Sequence, residues 1–493
     1  MKQLDNWVFH GILMVLAMLV GLGVRLHGLS LESATGDEVF TVSLLGSSSL
    51  SAFLEQSAAF DPTARLAPAY GIVAYVWAQL FGSGLLAARA LTVLLSVGCI
   101  PLVYALGLRL AGGWIPAFAG ALLSALSLPG VFYGQDLRFY ALFQFLSLIS
   151  MVSFARAVET NGKGAWVLNL LANAAMLWTH SFAPLFWLCQ GLFLICFRRR
   201  PMKHVAMWGL CHALLLGLLA LWLARLGYSP ESEAAPYQDR LAGWREVGAA
   251  WLMFAGGRFS EENPAAYLPG GFSMDILLGA ALVVACLRLM WYTTRNREEE
   301  PHTFQGTILL GLWLGVPLVA LYLFSLEWRM VFYPRYIVYC TFPASLLLAV
   351  GATRGLRSSA QAVLALVIVG ISGVQTLSLP RPFRADYQAA ARDINQDRNP
   401  AVHALKPFNA RAAAYALGIA DYRSIENWGL PELCAETAAQ AKDGRVVWVL
   451  FHRWARIDDF ESSLSKEGIE WIRHEYAGMP PLIGYRVQRT SLQ

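Results

Sequence analysis

Apolar runs of roughly 20 residues recur along this chain, the length a helix needs to cross the hydrocarbon core of a bilayer. Eleven such segments can be drawn, at approximately 8–27, 85–108, 114–132, 138–157, 165–179, 182–197, 205–224, 274–292, 305–325, 336–352 and 360–379. The first is followed by Arg25 and His27 rather than by a small-residue cleavage site, so it reads as a retained anchor and not as a signal peptide. With the N-terminus in the cytoplasm, the short cytoplasmic connections hold Arg109, Arg156 with Lys163, Arg198-Arg199-Arg200 with Lys203, Arg295 with Arg297, and Arg354 with Arg357. Each carries a cation, as the positive-inside rule requires. Leu66–Phe81 is apolar too, but counting it as a span would turn Arg198–Arg200 outward. Its Tyr70, Tyr75 and Trp77 suit a helix lying in the interface.

Two outer loops are long, 28–84 and 225–273, and after Pro380 the pattern turns polar. Residues 1–380 therefore read as a transmembrane domain and 381–493 as a soluble one. In the latter, helix-like stretches (386–395, 408–418, 431–441, 456–466) alternate with strand-like ones (Arg445–Phe451, Ile483–Val487), which predicts a small α/β unit. An odd number of spans puts this unit outside, in the periplasm or its equivalent, and makes the chain a multi-pass membrane protein. Composition agrees: 56% of the 493 residues are hydrophobic and 14% charged, against about 45–50% and about 25% in soluble proteins, which excludes an ordinary soluble enzyme. The net charge of +5 is spread through membrane loops and gives no reason to expect nucleic acid as a partner. The seven cysteines have no metal-ligand spacing and are not expected to form disulfides.

No P-loop, no GxGxxG after a strand and no HExxH is present. Instead, polar chemistry gathers in the outer turns. These hold Gly36-Asp37-Glu38, Tyr133-Gly134-Gln135-Asp136-Leu137-Arg138-Phe139-Tyr140, Thr179-His180-Ser181, and Glu327, Arg329 and Arg335. Each has a plain structural explanation beside the functional one. Asp37 and Glu38 suit the N-terminus of a helix starting at Val39, and His180 suits a hydrogen-bonded turn. Asp136 and Arg138 are two apart and cannot pair along one helix face, and Arg329 and Arg335 run against the charge rule. Arginines at headgroup level can neutralise a leaving phosphate while a carboxylate deprotonates an acceptor hydroxyl. The bond to a lipid phosphate already stores the energy, so no nucleotide is needed.

These motifs, in order over roughly residues 8–350, resemble those of the GT-C glycosyltransferases. The branch concerned is the bacterial one related to dolichyl-phosphate-mannose-protein mannosyltransferases and the aminoarabinose lipid A transferase. Gly36-Asp37-Glu38 resembles its first-loop acidic motif. Leu80-Phe81-Gly82-Ser83 through Ala88-Arg89-Ala90-Leu91 is similar to its LFG-x-S/E…LR-x-P-S pattern. Tyr133–Leu142 is similar to YSQEARxYAL with Asp136 in the Glu place, Thr179-His180-Ser181-Phe182 to THYF, and Pro334-Arg335-Tyr336 to the RY opening a late span. The first-loop HPPL is replaced by Leu66-Ala67-Pro68-Ala69, leaving Arg65 as the nearest cation.

The resemblance implies an α-helical polytopic membrane protein of GT-C type. It implies an inverting transferase that moves a sugar from a polyprenyl-phosphate-linked donor to an acceptor hydroxyl of a glycan, lipid or protein at the outer face. By motif match Asp37 is the general base, Glu38 shapes the site beside it, and Asp136 orients hydroxyls. Arg138 and Arg335 meet the donor phosphate, with Arg65, Gln135, His180 and Tyr336 completing the substrate site. No cofactor is assigned; a divalent cation stays open, because members of the superfamily differ in metal use. The soluble 381–493 domain matches no motif and is expected to serve acceptor capture. Two alternatives are an O-antigen-ligase-type transferase, which would place its key residues in one late loop, and a polysaccharide or lipid flippase, which would line both membrane halves with polar residues.

Overall fold

The computed structural model describes residues 2–60, 67–111, 113–197, 202–226, 243–257, 273–327, 332–378, 384–404, 407–419, 426–427, 430–452, 457–476 and 482–488. All eleven apolar segments are helical. Eight described helices are long and apolar enough to cross a membrane, and nine if Trp114–Leu126 and Leu128–Gly134 are one span. That pair bends by 53°, a break the continuous run 114–132 does not announce. Its cause is local. Ser127 caps the second helix by accepting from Gly130 N, and Pro129 in the first turn has no N–H to continue the preceding ladder.

The remaining two segments form helices Lys163–Leu177 and Ala183–Cys196, of 15 and 14 residues. At 1.5 Å per residue these are about 21–23 Å long, short of a full hydrocarbon core. The apolar stretch 66–81 folds as the 13-residue helix Ala69–Phe81, too short to span on the same arithmetic.

Contacts divide the chain into two compact units. The first comprises Met1–Leu26, Leu54–Val76 and Ala90–Ser378. Its centre is helix Thr341–Thr353, buried along nearly its whole length between helices Met274–Arg295 and Trp114–Leu126. Gly351 allows the closest of these approaches, since a Cβ there would run into the Ala285 backbone. At the other extreme, helix Met202–Arg225 leaves Leu210, Leu214, Leu218 and Leu221 exposed, the surface expected to face lipid. Asn169 and Asn173, unusual in an apolar helix, are buried in a hydrogen-bonded network with Ser150 and Gln190, the interhelical use to which amides are put in membranes. This is a multi-pass membrane protein.

The second unit comprises His27–Phe53, Trp77–Arg89 and Leu379–Gln493. It contains a five-stranded sheet in the order β2-β1-β3-β5-β4, from Ala401–Ala404 (β1), Glu426–Asn427 (β2), Val447–His452 (β3), Glu470–Tyr476 (β4) and Leu482–Gln488 (β5). β1 pairs in parallel with β2 and β3; β5 lies antiparallel between β3 and β4. Alternation along β3 builds a core on each face. Trp448 and Leu450 pack with helices Tyr387–Ile394 and Pro407–Leu417. Val447, Val449 and Phe451 pack with helices Leu430–Lys442 and Ile457–Lys466. The α/β reading of this region is thus met. All seven cysteines are free thiols.

Candidate active site

In the second unit the acidic motif opens helix Gly36–Leu45. The helix starts three residues before the Val39 start expected from the sequence, and its cap is Thr35 rather than the acids. Thr35 Oγ1 accepts from Glu38 N at 3.2 Å and Glu38 Oε2 accepts from Thr35 N at 3.0 Å. This reciprocal capping box satisfies two of the donors that every helix start leaves open. Asp37 is half-buried in the first turn, where a negative charge is favoured by the helix dipole.

Glu38 is fully buried, and its carboxylate accepts four hydrogen bonds from described residues, three on Oε2 and one on Oε1. Arg89, from helix Leu85–Ala111, places Nε 2.9 Å from Oε1 and Nη2 2.7 Å from Oε2 in a fork. Its remaining reach goes to the main chain of the same loop: Nη1 donates to the carbonyls of Leu29 and Glu32, and Nη2 to that of Ser33. Five donors thus meet five hydrogen bonds, the condition under which a buried guanidinium is tolerated. A second cation, Arg384, brings Nη1 to 2.6 Å from Glu38 Oε2, and its main-chain N donates to buried Glu32 Oε2 at 3.0 Å. The acids and guanidiniums of Glu32, Glu38, Arg89 and Arg384 therefore close a buried charge cluster around the helix start. Neighbours on a helix point about 100° apart, so fixing Glu38 also fixes the direction in which Asp37 projects.

In the first unit, Gln135 ends helix Leu128–Gly134 and donates through Nε2 to the carbonyl of Arg25 at 2.6 Å. Asp136 follows it, buried, and its carbonyl accepts from Arg138 N at 2.7 Å. The Arg138 guanidinium lies 5.6 Å over Phe139 and that of Arg335 5.3 Å over Tyr336, within the range of cation–π attraction. His180 connects these motifs, its ring centroid 4.8 Å from Phe139 and 5.3 Å from Tyr336. Burial, then the charges of Arg335 and Arg138, push its pKa down to about 3. Nδ1 accepts from Phe182 N at 3.1 Å, so the neutral ring carries its proton on Nε2. The turn thus holds two arginines around a histidine that cannot share their charge.

A depressed histidine pKa sets a direction for acid stability. Above its ordinary value of ~6.5 His180 is neutral folded or unfolded and stability is unaffected. As pH falls from there toward 3 the unfolded chain takes up the proton first, so stability drains. Tm should fall between pH 7 and pH 5, and His180→Gln should flatten that slope; equal slopes in both proteins would show that His180 does not titrate in this way.

Asp37 and Glu38 thus belong to the second unit, and Gln135, Asp136, Arg138, His180, Arg335 and Tyr336 to the first; each group assembles within its own unit. Arg65 and Arg329 lie outside the described residues, as does the side chain of Glu327. Among the described residues no group of three or more His, Cys, Asp or Glu is placed to hold a metal ion. The sequence reading missed Arg89 and Arg384 as members of the site. Arg89 carried a signal, being a cation at the head of an apolar helix, where a charge is costly unless paired. Arg384 carried none.

No protein-family model and no curated protein matches the sequence. Solved structures do match the fold. ArnT from Cupriavidus metallidurans in the apo state aligns at 13% identity over 98% of both chains, with a TM-score of 0.55. The same protein bound to undecaprenyl phosphate aligns at 14% identity over 99% of both chains, with a TM-score of 0.53. An oligosaccharyltransferase from Archaeoglobus fulgidus aligns at 11% identity over 90% of this chain and 69% of its own, with a TM-score of 0.50. The chain shares the fold of these proteins along nearly its whole length, in keeping with the architecture that its motifs led us to expect.

Proposed function

We propose that the protein is an inverting glycosyltransferase that takes a sugar from a polyprenyl-phosphate-linked donor and passes it to an acceptor hydroxyl at the outer face of the inner membrane. The observation that carries this reading is the acidic motif, built onto a buried double-arginine clamp in a fold shared end to end with a protein crystallised with undecaprenyl phosphate. Asp37 takes the proton from the acceptor hydroxyl as its oxygen attacks the anomeric carbon. The bond from that carbon to the phosphate oxygen breaks on the opposite side, and polyprenyl phosphate leaves as an anion. Arg138 and Arg335 receive that charge. Both act electrostatically on His180, and positive charge of this kind stabilises an anion that forms beside it. Asp136, beside Arg138 in the same turn, orients sugar hydroxyls, and residues 381–493 form an extracytoplasmic domain.

The test is incubation of the protein, reconstituted in liposomes, with radiolabelled polyprenyl-phosphate monosaccharides, following both transfer and donor hydrolysis. Absence of turnover together with failure to bind undecaprenyl phosphate would overturn the reading. Within it, Arg138→Ala and Arg335→Ala should each weaken undecaprenyl phosphate binding by about 10–100-fold, the equivalent of one charge-assisted hydrogen bond. Unchanged affinity in both variants would remove the two arginines from the donor site.

A further inference from the structure

We propose that Arg384 is a positioning residue for the transfer step: it ties the polypeptide that follows the last apolar helix to the helix carrying Asp37. The inference rests on Asp37 being the base. It gives residues beyond 380 a task other than acceptor capture.

The chain of contacts is continuous and lies within the second unit. Arg384 is buried, with its side chain on Glu38 and its main chain on Glu32. Four residues on, Gln388 N donates to Ser33 Oγ at 3.2 Å, a second attachment to the same loop. Between them Asp386 caps helix Tyr387–Ile394 through a 2.9 Å bond from Ala389 N. That helix is seated by Tyr387, Ala390 and Ile394 on the core that contains Trp448 and Leu450 of β3. Helix Pro407–Leu417, on the same core, packs against helix Gly36–Leu45 itself. The position of Glu38 is therefore referred to the sheet, and Asp37 is the next residue. Arg89 alone supplies the bidentate partner that a buried carboxylate needs. What Arg384 adds is a second direction of restraint, and a carboxylate held from two directions cannot swing about one.

The experiment compares the full-length protein with Asp37→Asn, Arg384→Met and Arg384→Lys in liposomes. It reads kcat and donor KM with a polyprenyl-phosphate monosaccharide and amide hydrogen exchange across the chain. Arg384→Met keeps the stem and removes the charge. Misplacing a catalytic group by about 1 Å can cost ~10²-fold, so kcat should fall by that order while donor KM holds. Exchange should rise in Thr35–Leu45 while β1 and β3 keep their protection. Arg384→Lys, which keeps the charge, should recover part of both and serves alone if the methionine variant does not fold. Normal kcat in the Arg384 variants beside an inactive Asp37→Asn would overturn the proposal. So would unchanged exchange in Thr35–Leu45, or a loss of protection shared by β1 and β3, which would mark general support of the fold. Turnover surviving in Asp37→Asn would instead fell the reading of Asp37 as base, and exchange at Thr35–Leu45 would then decide by itself whether Arg384 restrains that helix.

Discussion

Asp37→Asn is expected to abolish sugar transfer while leaving the fold and donor binding in place. An aliphatic hydroxyl is a poor nucleophile, and a positioned carboxylate that accepts its proton contributes typically 10²–10⁴-fold. Asparagine keeps the shape of the side chain but loses the negative charge and, with it, the ability to take the proton. If Asp37 merely supported the helix start, the variant would lose some stability and retain its turnover. Thr35 already caps that start, with Glu38 as its reciprocal partner, so the helix should tolerate the change well. Asp37→Glu should restore little, because the extra methylene moves the oxygen by about a bond length and geometry governs such transfers. Thermal stability, undecaprenyl phosphate affinity and turnover measured on the purified variant separate the outcomes. Near-normal turnover would move the base to Asp136, since Glu38 is buried and held by two guanidiniums.

Arg89→Ala is expected to act first of all on stability. It strips Glu38 of both arms of its fork and leaves three loop carbonyls without their donor, all in a buried site. Breaking one partner of a buried ion pair typically costs about 3–5 kcal/mol, a large share of the roughly 5–15 kcal/mol that separates folded from unfolded domains. A pronounced fall in Tm or in yield of folded protein should follow. Arg89→Lys should rescue it poorly, because an ammonium has three donors in place of five and no planar fork. Wild-type Tm in Arg89→Ala would show that Arg384 and Thr35 suffice to hold Glu38.

The sequence displayed the membrane architecture because the bilayer imposes one length and one polarity on every span. Departures occur where a local signal interrupts that rule. Ser127 and Pro129 break the third segment, and the Thr35-Gly36-Asp37-Glu38 spacing marks an earlier helix start; both follow from capping chemistry and are legible afterwards. The strands divide on burial. β3 and the core of β5 are apolar and were readable, whereas β4 alternates largely exposed residues and β1 is four residues long, leaving no periodicity to detect. The candidate site divides similarly. Its acids, its outer-turn arginines and Arg89 stand in short motifs, while Arg384 acquires its role only by meeting Glu38 across 346 positions of chain. Nothing local encodes such a pairing.

That last separation has a consequence for how the protein is made. Glu38 and Arg89 leave the ribosome close together, so the first ion pair can form early. Arg384 emerges after every apolar helix has been synthesised, and at about 5–20 residues per second the Glu38 carboxylate waits on the order of 20–70 seconds for its second partner. Throughout that interval Glu38 has Arg89 within reach but not Arg384. A translation product cut short before residue 384 would carry all the outer-turn motifs and both acids, yet never complete the clamp. On the proposed mechanism, chemistry beside Glu38 thus depends on a residue made more than 300 positions later.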